Sequence, residues 1–434
     1  MKITKLRLEN FRGFAGVHEF ELPDGNITAI IGVNGAGKTS VLDAMAIVLY
    51  KMLKYGMGNV TEKKEKSIEF LLNDITIKQD LSSIHLYINR KINEISGYIS
   101  DRTYSGWLDN DKLFEEKTEK SLHYKNFFIN KPLPILIYYR SHRDFTGNGY
   151  IDYTFNYKNS AIWSWAYENA FDTIINYDNI VSWYLGQINI ENNEKVKRKN
   201  FDYELPTISA IKKAIQRFLQ SLEGTDLKGI ALDVSPYNRT QQTLMIQKTD
   251  VDLEFSQLSA GEKMMIGIVL DIAYRMSIAN PHLENPLQTD GIILIDEIEL
   301  HLHPKWQMSV LQALSKTFPN VQFIVTTHSP LVINQLNSNQ LLILDNFKII
   351  EGKKLHNTYG RDVNAIVSDF MGAAERPHDI KKRLKEIEDE LNEDVPNIAL
   401  ATQKLDTLKS IIDPNDYEIL KLETLIAIEA DELD

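Results

Sequence analysis

The chain has 434 residues, of which 43% are hydrophobic and 25% charged, as in a folded globular protein rather than a disordered one. It contains no cysteine, which excludes disulfide scaffolds, cysteine-ligated zinc, iron–sulfur clusters and cysteine nucleophiles. The formal net charge of −12 argues against nucleic acid over most of the surface, although a local basic groove stays open. No secretory signal opens the chain, and no apolar run approaches the roughly 18 residues that span a membrane, so we expect a cytoplasmic protein without membrane contact.

The first third of the chain predicts strands, a glycine-rich loop and a helix in close succession. The helix covers about 38–54, and the polar segment 59–78 is predicted as a surface helix or loop. Alternating or short apolar runs predict strands at 3–8, 27–31, 83–91, 94–100 and 134–139, the third and fourth forming a hairpin.

Residues 138–184 hold 14 of the chain's 41 Phe, Trp and Tyr residues. A helix with a buried aromatic face is predicted over 161–185. The residues on that face are Trp163, Tyr167, Phe171, Ile174 and Ile175. A base-stacking platform for single strands is the alternative, but it needs nearby basic residues and this segment has a net charge of −2. The basic run 195–199 that follows is predicted as a solvated loop, with a phosphate contact as its alternative.

The last part of the chain alternates strands and helices. Strands are predicted near 230–234, 243–247, 291–295, 321–326 and 341–344, and helices near 260–279 and 304–318. This order predicts an α/β fold in which the first and last thirds share one parallel sheet. Residues 379–434 contain seven basic and 16 acidic residues, a net charge of −9, and predict three short helices. The predicted domains are 1–140, a helical insertion at 141–227, 228–350, and an acidic helical region at 351–434.

Residues 32–39 read G-V-N-G-A-G-K-T, which matches the phosphate-binding pattern G-x-x-x-x-G-K-[ST] between a buried strand and a helix. Glycines let the backbone amides curl around phosphates, and the helix N-terminus adds a positive dipole end. Lys38 is predicted to contact the β- and γ-phosphates of ATP, and Thr39 to offer its hydroxyl to Mg²⁺. The predicted nucleotide contacts are Asn34, Gly35, Ala36, Gly37, Lys38, Thr39 and Ser40.

A second apolar strand, 292–295, ends in Asp296 and Glu297. Because a parallel strand delivers its C-terminal end to the ligand edge of the sheet, Asp296 is predicted to hold Mg²⁺ and Glu297 to polarise the attacking water. His328 follows the next strand, where it is predicted to sense the γ-phosphate and orient that water. His301 and His303 are predicted at a subunit interface rather than at a metal.

Residues 258–263 read L-S-A-G-E-K, and two interpretations of this segment are open. Ser259 and Glu262 form the capping-box pattern of a helix start. The same geometry exposes a hydroxyl and the amides near Gly261 at a helix N-terminus, where a phosphate binds readily. We refer to 258–263 as the signature segment.

Together these residues resemble the ABC ATPases of the SMC, RecF and OLD group. Residues 6–14 look like that group's first strand, and 296–304 look like its D-E-x-E-x-x-L-H-P stretch. The resemblance implies a head dimer, or a higher homo-oligomer, that encloses two ATP molecules. Each site would combine one chain's Ser259 with the other chain's Lys38, Thr39, Asp296, Glu297 and His328. The insertion is too short for long coiled-coil arms, no Toprim nuclease pattern follows 345, and 139–143 stand where the group has a glutamine.

The C-terminal part narrows the resemblance. Residues 361–366, then Arg376 and Pro377, then the acidic helices look similar to the PtuA ATPases of Septu and retron-linked anti-phage systems. This implies an ATPase that controls a separate HNH nuclease, with a retron reverse transcriptase, its RNA and target nucleic acid as further partners of the complex. The alternative is a RecF-like DNA-binding ATPase of repair, with 195–199 as its basic strip. The opening strand and the tail argue against a transporter subunit.

Overall fold

The computed structural model describes residues 1–57, 81–89, 94–102, 132–146, 162–172, 174–234, 242–352, 357–372, 374, 376–392 and 396–433. The strands are β1 (Lys2–Phe11), β2 (Phe14–Glu21), β3 (Ile27–Gly32), β4 (Leu81–Asn89), β5 (Glu94–Arg102), β6 (Ile135–Tyr139), β7 (Asp144–Thr146), β8 (Ile174–Asn176), β9 (Leu227–Val234), β10 (Gln242–Lys248), β11 (Asp252–Glu254), β12 (Gly291–Ile295), β13 (Val321–Thr326), β14 (Leu341–Asp345) and β15 (Lys348–Glu351). The helices are α1 (Lys38–Met57), α2 (Tyr177–Arg198), α3 (Pro206–Gln220), α4 (Ala260–Ala279), α5 (Pro304–Gln307), α6 (Val310–Thr317), α7 (Pro330–Ile333), α8 (Val363–Met371), α9 (His378–Leu391), α10 (Ile398–Lys409) and α11 (Tyr417–Leu433).

The central sheet has the strand order β15-β14-β3-β13-β12-β6. All pairs are parallel except β14–β15 at one edge. Every residue of β3, β12 and β13 is buried, which explains their continuous apolar runs. The prediction of an α/β fold whose first and last thirds share one sheet is therefore confirmed. The C-terminal ends of β3, β12 and β13 lie along one edge, where parallel sheets bind ligands.

A second sheet, in the order β2-β1-β4-β5, is antiparallel throughout. It contains the predicted β4–β5 hairpin, so that prediction is confirmed. The polar segment predicted at 59–78 lies outside the described residues.

The strands predicted near 230–234 and 243–247 exist, but they do not join the parallel sheet. β9, β10 and β11 form a separate antiparallel sheet. The reason is the connection: only residues 235–241 separate β9 from β10, and a parallel crossover needs about a dozen residues or more.

The prediction of a single helix over 161–185 is wrong. A 3₁₀ turn spans Ile162–Tyr167, β8 pairs with β7, and α2 begins only at Tyr177. The carbonyls of Ala166 and Glu168 accept hydrogen bonds from Arg275, so tertiary contacts take groups that a helix would have paired internally. Of the predicted aromatic face, Tyr167, Phe171 and Ile175 are buried. The side chains of Trp163 and Ile174 lie outside the described part of the structure.

The basic run 195–199 is also not a loop over most of its length. It forms the last turn of α2, and its side chains pair with acidic residues one turn earlier. Lys195 contacts Glu191 at 2.7 Å and Arg198 contacts Glu194 at 2.8 Å. This pairing reduces the charge available to a phosphate. The helix predicted at 304–318 is divided into α5 and α6 around Ser309.

The chain divides into two compact units, Met1–Ile366 and Val367–Asp434. The second unit contains the three predicted acidic helices, α9, α10 and α11, around their own apolar core. The four-domain division stays a prediction, and its boundary at 350/351 lies inside β15. In the part of the chain that the structure describes, no helix is long and apolar enough to cross a membrane.

Candidate functional site

The glycine-rich loop connects β3 to the first residue of α1, Lys38. The Lys38 ammonium donates to the carbonyls of Gly32 at 2.9 Å and Val33 at 3.0 Å, which holds the side chain across the loop. Gly37 has a φ of +99°, and a Cβ there would come within 2.9 Å of the Phe347 ring. Both the left-handed backbone and this close approach require glycine at the position.

Burial lowers the pKa of Lys38 from its ordinary value, while attraction to Asp296, Glu297 and Glu299 partly restores it. Lys38 is 6% exposed. Because the ammonium has lost much of its hydration, an anion bound at the loop would stabilise its charged form.

Asp296 follows the last residue of β12 and is buried. Its carboxylate accepts hydrogen bonds from two hydroxyls, Thr39 Oγ1 to Oδ2 at 3.1 Å and Thr326 Oγ1 to Oδ1 at 2.5 Å. The Asp296 carboxylate and the Thr39 hydroxyl therefore lie side by side at the end of the phosphate loop. Both are oxygen ligands, which Mg²⁺ prefers. The donor set therefore fits a magnesium ion.

Glu297 has a φ of +50°, a left-handed conformation that is rare for a residue with a side chain. Its N–H donates to Thr326 Oγ1 at 2.7 Å. The sharp turn ends β12 and directs the chain into the 296–304 stretch. Strained backbone of this kind costs about 1–3 kcal/mol and persists where surrounding contacts fix it.

His328 lies beyond the end of β13, and its backbone N–H donates to Glu299 Oε1 at 2.5 Å. Burial, and next the charge of Lys38, lower the pKa of His328 despite the opposing effect of the nearby carboxylates. These effects favour the neutral form of the imidazole. A neutral ring can donate one hydrogen bond and accept another.

A pocket of about 350 Å³ collects most of the predicted site residues. Those that line it are Asn34, Gly35, Gly37, Lys38, Thr39, Ser40, Asp296, Glu297 and His328. Three predicted residues, Ala36, Ser259 and Gly261, do not line it. Ala36 is buried, and its N–H closes the loop turn on the carbonyl of Val33 at 3.2 Å.

The signature segment begins α4 with a complete capping box. Ser259 Oγ accepts from the Glu262 N–H at 3.4 Å, and the Ser259 N–H donates to Glu262 Oε2 at 2.9 Å. Burial raises the pKa of Glu262, but hydrogen bonds from Lys248 and Ser259 outweigh it and lower the pKa. A Cβ on Gly261 would lie 2.5 Å from the carbonyl oxygen of His301, so packing alone demands glycine there. Within one chain, the signature segment caps its own helix, as the first interpretation predicted. The second interpretation, phosphate binding, requires a nucleotide that is bound to another chain.

Sequence reasoning missed Arg143, which is buried against the loop that carries Asp296 and Glu297. It donates to the carbonyls of both residues, at 2.6 Å and 3.0 Å. Burial lowers the pKa of Arg143 to about 10, with the nearby carboxylates opposing the shift. The only signal in the sequence was its position in 139–143, where the resembling group has a glutamine.

Sequence reasoning also missed two further residues of the candidate site, Phe347 and Glu299. The ring of Phe347, on the turn between β14 and β15, lines the pocket and packs edge-on against Phe14 at 5.3 Å between centroids. Glu299 fixes the backbone of His328. The β14–β15 turn gave no recognisable signal, whereas Glu299 stood within the quoted D-E-x-E stretch.

In one pocket, a phosphate loop between a buried parallel strand and a helix faces an Asp-Glu strand end and a histidine. This is the arrangement of a P-loop ATPase. The family model described as AAA ATPase domain matches residues 1–333. The chain belongs to this AAA ATPase domain family, and it hydrolyses ATP.

Several known proteins are similar to this chain. The retron Vc95 probable ATPase of Vibrio cholerae serotype O1 biovar El Tor is 29% identical over 424 residues, covering 87% of this chain and 80% of that protein. The retron Ec83 probable ATPase of Escherichia coli is 28% identical, covering 88% and 78%. The Septu protein PtuA of Bacillus mycoides (strain KBAB4) is 24% identical, covering 79% of this chain but 40% of that protein. The solved Smc head bound to the C-winged helix domain of ScpA aligns with a TM-score of 0.43 at 15% identity, covering 81% and 98%. The resemblance to the retron-linked and PtuA ATPases is confirmed.

Proposed function

We propose that this chain is the ATP-binding and hydrolysing regulatory subunit of a bacterial anti-phage defence system. It controls a separate HNH-type nuclease through ATP-dependent dimerisation of its head. One observation carries the dimerisation: the phosphate-loop half of the site lines one pocket, whereas Ser259 and Gly261 lie outside it. The names of the retron and Septu relatives support the defence context.

In this proposal the amides of the glycine-rich loop bind the α- and β-phosphates, and Lys38 contacts the β- and γ-phosphates. Thr39 and Asp296 would hold Mg²⁺, which supplies positive charge that neutralises the phosphates. Glu297 orients and polarises a water for attack on the γ-phosphate. His328, whose pKa is lowered by burial and by Lys38 before nucleotide binds, hydrogen-bonds the γ-phosphate.

Ser259 and the amides near Gly261 come from the second chain. They meet the γ-phosphate at the N-terminus of α4, where the helix dipole favours an anion. Ser259 leaves its hydrogen bond to Glu262 Oε2, 2.8 Å away, when its hydroxyl turns to the phosphate. Each ATP therefore joins two chains, and its hydrolysis releases them.

Mixing two inactive variants tests this sharing of sites. Ser259→Ala and Lys38→Ala chains are each expected to hydrolyse ATP at about a hundredth of the wild-type rate or less when alone. Their mixture is expected to recover about a quarter of wild-type ATP turnover, because random twofold assembly gives half mixed dimers, each with one intact site. The measurement is steady-state phosphate release after the chains are mixed and allowed to exchange.

A matched mixture provides the control. Lys38 and Glu297 belong to the same half of the site, so Lys38→Ala mixed with Glu297→Gln leaves no site intact and recovers nothing. Equal recovery in both mixtures, or none in either, would rule out sites that are shared between chains.

The acidic unit offers a surface for the partner nuclease. Its core is covered by α9, α10 and α11, yet one side of α11 keeps apolar side chains exposed. Tyr417, Leu420 and Ile428 are 75%, 46% and 49% exposed, at spacings that share one helix face. An apolar stripe in a strongly acidic unit suits a partner with a complementary apolar and basic surface. A retron reverse transcriptase, its RNA and the target nucleic acid would join at the level of the complex.

Deleting 379–434 is expected to abolish capture of the nuclease while ATP hydrolysis continues. The sharper variant is Leu420→Glu with Ile428→Glu, expected to weaken capture at least about tenfold because charges replace buried apolar contacts. Gln403→Glu with Thr407→Glu adds the same charge at exposed positions of α10 and is the matched control. Capture is measured by titrating tagged chain against purified nuclease. If capture survives the deletion, the acidic unit is not the docking site.

A further inference from the structure

Arg143 lies in the loop after β6 and is 6% exposed. Every nitrogen of its guanidinium group donates a hydrogen bond. Nε donates to Met264 Sδ at 2.9 Å, and Nη1 to the carbonyls of Arg140 at 3.1 Å and Asp296 at 2.6 Å. Nη2 donates to the carbonyl of Glu297 at 3.0 Å. These hydrogen bonds go to backbone carbonyls and a thioether, so the arginine fixes backbone geometry rather than pairing with a carboxylate.

The backbone around Glu297 is fixed from both sides by this arrangement. In the peptide unit that joins Asp296 to Glu297, the carbonyl accepts from Arg143 and the N–H donates to Thr326 Oγ1. The next carbonyl, of Glu297 itself, accepts from Arg143 as well. A side-chain-bearing residue at a φ of +50° needs surroundings that fix it, and Arg143 supplies two of the four hydrogen bonds to these groups. The other two come from Thr326 Oγ1 and from the N–H of Leu300, which donates to the Glu297 carbonyl at 3.1 Å.

Arg143 also contacts the helix that begins with the signature segment. Met264 lies on α4, five residues after Ser259. The first turn of α4 packs closely on the loop after β12, since Gly261 has the His301 carbonyl where a Cβ would stand. The start of α4, Arg143 and the backbone of Glu297 therefore form one continuous set of packed, hydrogen-bonded groups.

We infer that Arg143 is a positioning residue that holds Glu297 in its left-handed conformation and links it to the signature segment of the same chain. This inference rests on the proposed role of Glu297 in hydrolysis. In a dimer, the Ser259 that engages the partner's nucleotide is thereby connected to the Glu297 that serves its own chain's nucleotide. Within each chain, Arg143 therefore connects the residue that serves one ATP site, Glu297, with the residue that serves the other, Ser259.

The test uses the full chain with Arg143→Lys and Arg143→Gln. A lysine keeps the positive charge but lacks the planar fork that reaches both carbonyls and the sulfur at once. We expect kcat to fall at least about tenfold while KM and the equilibrium Kd for ATP change less than about threefold, because only the positioning of the water-activating group is lost. A role in folding alone would not produce this separation of kcat from Kd.

Arg275→Lys is the matched control. Arg275 is also buried, at 5% exposure. It donates to the carbonyls of Ala166 and Glu168 and pairs with Asp271, and none of these hydrogen bonds goes to residue 296 or 297. Its variant is expected to lower the thermal midpoint but to keep kcat within about twofold when assayed below that midpoint. Unchanged kcat in both Arg143 variants, or an equal loss of kcat in the Arg275 variant, would overturn the positioning role.

The link to the signature segment is tested by combining Arg143→Lys with Ser259→Ala in single-turnover assays. If the two residues act independently, the fold reduction in rate of the double variant equals the product of the two single reductions. If they are coupled, it differs from that product. Multiplicative effects would overturn the link. A Glu297→Gln chain that hydrolyses ATP at the wild-type rate would instead overturn the proposed function, so the two failures are distinguishable.

Discussion

Glu297→Gln is expected to leave ATP binding intact and to slow hydrolysis by a factor of roughly 10² to 10⁴, the contribution of a positioned general base. The amide matches the carboxylate in shape, and the backbone contacts to Thr326 and Arg143 do not involve the side chain. Only the ability to polarise water is removed. In the proposed mechanism hydrolysis separates the heads, so the variant is expected to accumulate as an ATP-bound dimer. Light scattering with and without ATP and Mg²⁺ measures this.

The control for this variant is Glu284→Gln, an exposed carboxylate on the surface, which should behave as wild type. Hydrolysis at the wild-type rate by Glu297→Gln would show that the water is oriented by another group. A slow variant that stays monomeric in ATP would separate the catalytic role, which would stand, from the proposed dimerisation, which would not.

Lys38→Ala is expected to weaken ATP binding by about 10²-fold or more, as loss of a buried charged partner of an anion does. The ammonium is desolvated, which lowers its pKa, and the phosphate oxygens compensate for that cost when ATP binds. Without it, the triphosphate would lose one cationic partner and would stay close to the carboxylates of Asp296, Glu297 and Glu299. Isothermal titration with ATP measures the loss.

Lys316→Ala on α6 removes an equally charged but exposed side chain and should bind ATP normally. If Lys38→Ala binds ATP with wild-type affinity, the nucleotide occupies another site and the assignment of the 350 Å³ pocket fails. Circular dichroism of both variants separates lost binding from lost folding.

The parts of the site that could be predicted from sequence are those encoded locally. The glycine-rich loop, the Asp-Glu strand end and His328 each follow a buried strand whose apolar run is visible in the chain. Parallel strands then bring their ends together without further information. The capping box at Ser259 was predictable for the same reason, since its partners are three residues apart.

The parts that could not be predicted depend on distant contacts. Arg143 meets residues 296 and 297 only because β6 pairs with β12 in the folded sheet. The aromatic segment was interpreted as one helix because its spacing is helical, whereas Arg275, more than 100 residues away, captures the carbonyls that would have paired within it. Local periodicity cannot register such competition for backbone groups.

The measurement that tests the central claim most directly is capture of partners by the Glu297→Gln chain from its native host in ATP and Mg²⁺. The co-purified proteins are identified by mass spectrometry and any nucleic acid is assayed. The Leu420→Glu, Ile428→Glu version of the same chain serves as the control. We predict a stoichiometric small nuclease, with or without a reverse transcriptase and its RNA, that is lost from the control. DNA alone, or the chain by itself, would contradict the proposal and favour a RecF-like role in repair.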